Sequence, residues 1–535
     1  MKFSKRFLFA LFAILMLVVV GCSSNSSTEQ DNDTDSDSTD NETNENDENS
    51  AGGELKVALP AQPSIIDPHV TTETVTSTST KPVFETLVVT NEDRQPVPYL
   101  AEKIDVTDDN KTYTFHLRQG IKFHNGQEMT AEDVAASMNR WRVNATGAKV
   151  VIGDDEFTVV DDYTVELTLS KPSSLVPSLI ATERLAAIMP KELVEEAGEN
   201  PVSEIIGTGP FKFENWLQDQ YIHLTKNEDY VPFDEPIDGL AGKREALVDD
   251  IYLYFVSDTS TRMAGLQTGE YDIDASIANQ NLAQIQNAEN LQEYIEPAGN
   301  LTLYFNKKDG VFADVNMRQA VSAALDIGEI MQAAYSEEDL YALSHSYIHE
   351  NYPDWYSEAG QEFYNQNDPE KAKEWLEKAG YNGETIRFLT TRDYEEYYNA
   401  AVVIQEQLKN IDVEVELEVV DWATLLDRRS DPAQWELFIS GFSVKPQPVG
   451  LLPLDKEYAG WTEDDKIEEL KEVIQTASLE EAQAAWDELQ AYAWGEYVPV
   501  VLLGFYNQVT GTNDKVEGYI TDNGQPIFWN VKKLD

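Results

Sequence analysis

An α/β layered fold is what this 535-residue sequence predicts. Strand-like and helix-like periodicities alternate through residues 299–440, and recognisable helix start signals precede the helical stretches. Apolar residues make up 41% of the chain, enough for packed cores. The chain beyond residue 53 is too long for one core, so two or three domains are expected.

The chain begins with Lys2, Lys5 and Arg6, then an apolar run from Phe7 to Val20. A basic start, a short apolar stretch and a small residue before a cut site predict a signal peptide over 1–21. The run is shorter than the roughly 20 residues a membrane span needs. Val19-Val20-Gly21-Cys22 resembles the bacterial lipobox, in which the cysteine is acylated, so Cys22 is the expected lipidation site. A plain signal peptide that happens to end near a cysteine is the alternative. Ser23 to Ser50 consists almost only of Ser, Asn, Thr, Asp, Glu and Gln. Such a segment cannot bury enough apolar surface to offset its ordering entropy, so 22–53 reads as a disordered acidic tether.

Further along, residues 54–60 alternate like a strand, and so do Tyr113, Phe115 and Leu117. Thr130 caps a helix running to about Trp141, with Asp133 completing a box-like start. Region 85–202 reads as rich in strands and turns. Asp368-Pro369-Glu370 opens a helix that Gly380 closes. A helix from about Tyr394 to Asn410 feeds a strand over 411–420, in which Val413, Val415, Leu417 and Val419 share a face. Val498 to Leu503 reads as a buried strand near the C-terminus.

Composition excludes several functions. With 97 acidic against 39 basic residues the formal net charge is −58, which repels nucleic acid and anionic membrane surfaces. The acids are spread along the whole chain, as on a solvated surface suited to a salty or alkaline exterior; a cation-binding role is the alternative. Cys22 is the one cysteine, so the body has no thiol for catalysis, disulfides or metal binding. Gly207-Thr208-Gly209-Pro210 is half a dinucleotide fingerprint and reads as a turn. Gly441-Phe442-Ser443-Val444-Lys445 starts like a nucleophile elbow but lacks its last glycine. His345 and His349 could share a helical face as metal ligands, yet Tyr352, Pro353 and Trp355 suggest a loop. No catalytic constellation emerges, which favours holding a ligand over transforming one.

Several segments resemble the family 5 extracellular solute-binding proteins, the oligopeptide, dipeptide and nickel receptors of ABC importers. Leu100 to Val106, Thr112 to Gln127 and Met129 to Val134 resemble the family signature. Pro63 to Pro68, Gly207 to Phe213, Met317 to Asp326 and Asp368 to Tyr381 come in the family's order. The resemblance spans 54–535. It implies a bilobal periplasmic-binding-protein fold of type II with an additional domain inserted in lobe one. Lobe one would be 54–84, 203–298 and 499–535, the insert 85–202, and lobe two 299–498.

The resemblance also implies a function: a monomeric receptor outside the cytoplasm, lipid-anchored to the cell membrane, capturing a peptide or other small solute in the interlobe cleft. It would deliver that solute to an ABC permease and its ATPase subunits. No cofactor, metal or nucleic acid is implied. By family position, Thr76, Ser77 and Thr78 would supply one edge to an extended peptide and Gly441, Phe442 and Ser443 the other. Trp422 falls where relatives place a wall, with ordinary core as its alternative. Arg429 or Arg428 falls near a basic residue that meets a carboxylate. Peptide-binding relatives carry an aspartate for the ligand's ammonium where this sequence has Lys445. Lys445 therefore either lines the cleft and favours an anionic group, or points to solvent. Other solutes remain open, namely an oligosaccharide, a chelated metal such as nickel or an anionic metabolite; a surface hydrolase is the last alternative.

Overall fold

One mixed sheet of 11 strands organises the protein, whose structure, a computed structural model, describes residues 52–534. The leader, Cys22 and nearly all of the tether lie outside these residues. From one edge the strands run Val415–Val419, Ile386–Thr390, Leu437–Ser443, Leu291–Phe305 and Val500–Asn513. The order continues with Ile273–Ile277, Glu54–Leu59, Asp250–Phe255, Tyr221–Lys226 and Phe211–Leu217. Tyr341–Ala342 adds itself beside Val500–Asn513.

Two strands are far longer than the rest, 15 and 14 residues, and they join the two lobes. Leu291–Phe305 and Val500–Asn513 pair antiparallel from Leu291 opposite Asn513 to Tyr304 opposite Val500. Ile273–Ile277 lies against the far end of Val500–Asn513, while Leu437–Ser443 lies against Gly299–Phe305. The register slips between Pro297 and Gly299, and again between Leu301 and Thr302. Such a bulge adds local twist and bend. Here it frees the Ala298 carbonyl to accept the Val444 N–H at 3.1 Å. From Gly299 to Phe305 every residue is buried, whereas Leu291 to Ala298 is mostly half-buried.

In a separate apolar core, Leu55, Val57, Phe84, Phe211, Ile251 and Leu253 pack with Phe528 and Val531 from the chain end. A four-stranded antiparallel sheet, Ala101–Val106, Thr112–Leu117, Thr164–Thr168 and Phe157–Asp161 in sheet order, stands apart from the main one. Tyr113, Phe115 and Leu117 are buried, and so are Val134, Met138 and Trp141 of helix Ala131–Asn144. Asp133 fixes the start of that helix by accepting the Thr130 N–H at 2.9 Å. The region expected to be rich in strands and turns thus holds, besides the expected helix Ala131–Asn144, three more: Thr146–Val151, Val176–Thr182 and Lys191–Ala197.

In lobe two, helix Pro369–Ala379 begins where Asp368 accepts the Lys371 N–H at 3.0 Å. It ends at Gly380, whose φ of 66° is left-handed and free of strain only for glycine. Helix Glu395–Lys409 leads into Val415–Val419, shorter than the expected 411–420. Val413 and Val415 are buried but Val419 is 43% exposed, because this is the sheet's edge strand.

Candidate functional site

A cavity of about 350 Å³ opens beside the lobe crossing. Helix Thr74–Thr80 and the turn before it form one wall, with residues 180–185 next to them. Residues 443–447 with Val449, at and just beyond the end of strand Leu437–Ser443, form the opposite wall. Ala298, Tyr506 and Gln508 of the two long strands lie between, and Asp522, Asn523 and Gln525 of the C-terminal hairpin complete the lining.

Charged groups crowd this cavity. Five cations line it, Lys81, Arg94, Arg184, Arg244 and Lys445, against four carboxylates, Glu73, Glu85, Glu183 and Asp522. In a chain with a net charge of −58 that is a local reversal of sign. Asp522 bridges two of the cations, Lys81 Nζ at 2.7 Å and Arg94 Nη1 at 2.6 Å. Burial alone would raise the Asp522 carboxyl, but these two charges hold it below its ordinary value.

The Arg244 guanidinium is sandwiched between the Tyr99 and Trp529 rings, 3.9 and 4.2 Å from their centroids. It faces Glu85 at 3.9 Å. Burial pushes the Glu85 carboxyl up, opposed by Arg244 and by hydroxyl donors from Thr208 and Tyr230, each at 2.8 Å. Glu183 accepts the Gly147 N–H at 3.0 Å. Glu73 accepts the Ser64 N–H and hydroxyl at 2.8 and 2.6 Å. Arg184 donates to the His69 carbonyl at 3.3 Å and has a φ of 42°, a strained value for a side chain of its size.

Of the residues nominated from sequence, Thr76, Ser77, Ser443 and Lys445 line the cavity and five do not. Thr76 to Thr78 do not form an extended edge: they belong to helix Thr74–Thr80, where the Ser77 N–H is taken by the Glu73 carbonyl. Thr78 is buried away from the cavity, and the Thr76 hydroxyl is committed to the Ile65 carbonyl at 2.7 Å. Trp422 opens helix Trp422–Arg428 and leans on Tyr394 and Tyr397, at centroid distances of 5.0 and 6.0 Å. Arg429 donates to the Tyr458 hydroxyl at 2.8 Å and lines a second cavity of about 230 Å³ with Trp461. Arg428 is paired with Glu418. Gly441 and Phe442 sit in strand Leu437–Ser443, opposite Leu301 and Asn300, and the Gly441 N–H donates to the Tyr397 hydroxyl at 3.0 Å.

His345 and His349 lie in a loop, both buried, and burial pushes both imidazoles down from their ordinary value. Among the described residues no cluster of three or more His, Cys, Asp or Glu could hold a metal ion. Sequence reasoning missed Lys81, Arg94, Arg184, Arg244 and Asp522. None stands in a motif, and their partners are distant in sequence, as with the 428 residues between Arg94 and Asp522.

Known proteins share this architecture. A probable peptide ABC transporter periplasmic-binding protein of Sinorhizobium fredii is 31% identical over 499 residues, covering 88% of this chain and 92% of its own. The solved structure of the periplasmic binding protein AgaA from A. tumefaciens R10, in complex with agropinic acid, is 27% identical. It superposes with a TM-score of 0.70 over 90% of this chain and 99% of its own. The substrate-binding protein CtaP of Listeria monocytogenes shares the fold with a TM-score of 0.80 at 23% identity, over 91% and 100% of the two chains. The profile of the bacterial extracellular solute-binding proteins, family 5 Middle, matches residues 95–453, and to that family of solute-binding proteins the chain belongs.

Proposed function

We propose that this chain is the receptor of an ABC importer and captures a short peptide in the cavity beside the lobe crossing. One observation carries this reading: a single cavity offers both a carboxylate outside any ion pair, Glu73, and cations outside any ion pair, Arg184 and Lys445. A zwitterion with amide groups between its ends complements that pattern. Beyond Phe438, the edge of Leu437–Ser443 turned away from Leu291–Phe305 has no neighbouring strand among the described residues. That edge supports main-chain pairing with an extended ligand at Ser443, the strand residue that lines the cavity, since the Gly441 N–H is held by the Tyr397 hydroxyl. The name of the Sinorhizobium relative points the same way.

The residue ranges of the lobes belong to the same reading: 54–84, 203–298 and 499–535 on one side, 299–498 on the other, and 85–202 as the insert. The register slip at Pro297–Gly299 supports the boundary at 298. Closure of the lobes excludes water from the cleft and strengthens its polar contacts. Trp422 and Arg429 would then act from outside the cavity wall. The receptor works as a monomer anchored through acylated Cys22, facing outward from the cell membrane, with the tether giving it reach, and it performs no chemistry on its cargo.

A thermal-shift screen across di- to pentapeptides tests the ligand class, since a bound ligand stabilises the folded form by RT ln(1 + [L]/Kd). Small-angle scattering should show a smaller radius of gyration with a binding peptide, which is recovered intact. Stabilisation by no peptide would sink the reading. Labelling with a palmitate analogue should mark the wild type and not Cys22→Ser. A second reading, an anionic non-peptide solute, is favoured by the surplus of cations and by the agropinic acid of the AgaA complex.

A further inference from the structure

Resting on the peptide reading, we infer that the cleft selects short peptides carrying more carboxylates than ammonium groups, with Lys445 and Arg184 as the residues that set this preference. Each acid in the cavity already faces a cation or accepts a hydrogen bond, and Glu73, outside any ion pair, stays open to one ligand ammonium. Asp522 is held by Lys81 and Arg94, Glu85 by Arg244, Thr208 and Tyr230, Glu183 by the Gly147 N–H, and Glu73 by Ser64. The cations are not matched in the same way. Lys445 has no hydrogen bond or ion pair among the described residues, and Arg184 reaches only a carbonyl. Arg244 is 3% exposed and its Nε–H has no acceptor, although its Nη2 donates to the Leu240 carbonyl at 2.7 Å. The surplus capacity of the cavity is therefore for negative charge.

Two buried amides define what else the ligand offers. Gln447, a residue 2% exposed, and Gln525 line the same cavity, and the Oε1 atom of each is itself buried and accepts no hydrogen bond. A buried polar atom without a partner is costly, so turning either amide toward an N–H donor of an entering ligand would relieve that cost. Donors for two amide oxygens, together with acceptors for two cations, describe a peptide with extra carboxylates. The groups also lie on opposite walls, Lys445 and Gln447 just beyond strand Leu437–Ser443 and Arg184 just beyond helix Val176–Thr182. Closure around an acidic ligand would bring it between cations from both sides, where removal of water strengthens the attraction. A basic peptide would meet those same cations with its own.

Calorimetry on the full chain with Glu-Ala-Glu, Ala-Ala-Ala, Lys-Ala-Lys and the peptide-free dicarboxylate glutarate tests this. Glu-Ala-Glu should bind at least about tenfold more tightly than Ala-Ala-Ala, with Lys-Ala-Lys weakest. In Lys445→Met and in Arg184→Met the ratio between acidic and neutral peptides should collapse to within about threefold, while Lys445→Arg should keep it. Thermal melts of each variant establish that it folds; if Arg184→Met does not, the Lys445 pair decides alone. A neutral or basic peptide binding as well as the acidic one overturns the preference, as does a ratio that survives Lys445→Met. Binding of glutarate alone, lost in Lys445→Met, would retain the anionic preference and remove the peptide reading beneath it. Binding of none of the probes overturns both.

Discussion

Lys81 and Asp522 are 441 residues apart in sequence, yet Lys81 Nζ lies 2.7 Å from Asp522 Oδ2 in the wall of the cavity. Arg94 completes the bridge, so one carboxylate ties the first lobe's opening helix and the insert to the C-terminal hairpin. Asp522→Asn would leave two cations facing each other with 14% and 19% of their side chains exposed. The expected loss is about 2–3 kcal/mol in urea unfolding, since breaking a largely buried pair from one side strands the other charge. The double variant with Lys81→Met should recover part of that loss, because the two sites are coupled.

The lobe crossing is sensitive to one methyl group. A Cβ on Gly299 would stand 2.4 Å from the Tyr506 hydroxyl oxygen and 2.5 Å from its Cζ. Tyr506 cannot easily give way, being stacked on Tyr335 at 5.8 Å and so enclosed that burial pushes its hydroxyl up to about 12. Gly299→Ala should therefore displace a ring that lines the cavity. A drop of about tenfold in ligand affinity, larger than its effect on the melting temperature implies, is the expected outcome in calorimetry. Unchanged affinity would show that the ring moves freely.

His69 is expected to make the protein acid-sensitive. It is fully buried with neither ring nitrogen hydrogen-bonded, between the Asp67–Arg140 pair and Arg184. Burial pushes its imidazole down from 6.5 to about 4, although Asp67 pulls the other way. A histidine depressed in the folded state stabilises it above the unfolded value and loses that contribution as pH falls. Stability should thus decline between about 6.5 and 4, and denaturant midpoints measured for His69→Phe should decline less across the same window. Parallel pH profiles for the two proteins would exclude His69 as the source.

Local signals made much of the scaffold legible. Thr130 with Asp133, Asp368 with Gly380, and the alternation of Tyr113, Phe115 and Leu117 each fix an element through contacts within a few residues. The buried start of Val500–Asn513 was legible as an apolar run, but Leu291–Phe305 was not, because it changes from half-buried to fully buried midway and so has no single period. Thr76 to Thr78 misled for a different reason. Their expected edge came from family position alone, and the Thr76, Ser79 and Thr80 hydroxyls bond to main-chain carbonyls and fit the segment into a helix. Lys445 could be singled out because the charge stood in a recognisable segment. Arg184 and Arg244 could not, since their role depends on neighbours that only the folded chain supplies.

Arg244 provides the sharpest test of how the cavity manages charge. Its guanidinium touches two aromatic faces and is the one cation near Glu85, a carboxyl that burial already pushes up. In Arg244→Met, Glu85 would lose that cation and its carboxyl would rise further. A carboxyl raised in the folded state lets that state bind a proton more readily than the unfolded chain. Its penalty is therefore absent at low pH, where both states are protonated, and grows as pH rises through the unfolded value and above. The cost of Arg244→Met should accordingly be small near about pH 4 and reach about 3 kcal/mol by about pH 8, read from urea midpoints at each pH. Adding Glu85→Gln should flatten that dependence, because no charge is then left to strand. A cost that stays constant with pH would mean that Arg244 acts through its stacking on Tyr99 and Trp529 alone.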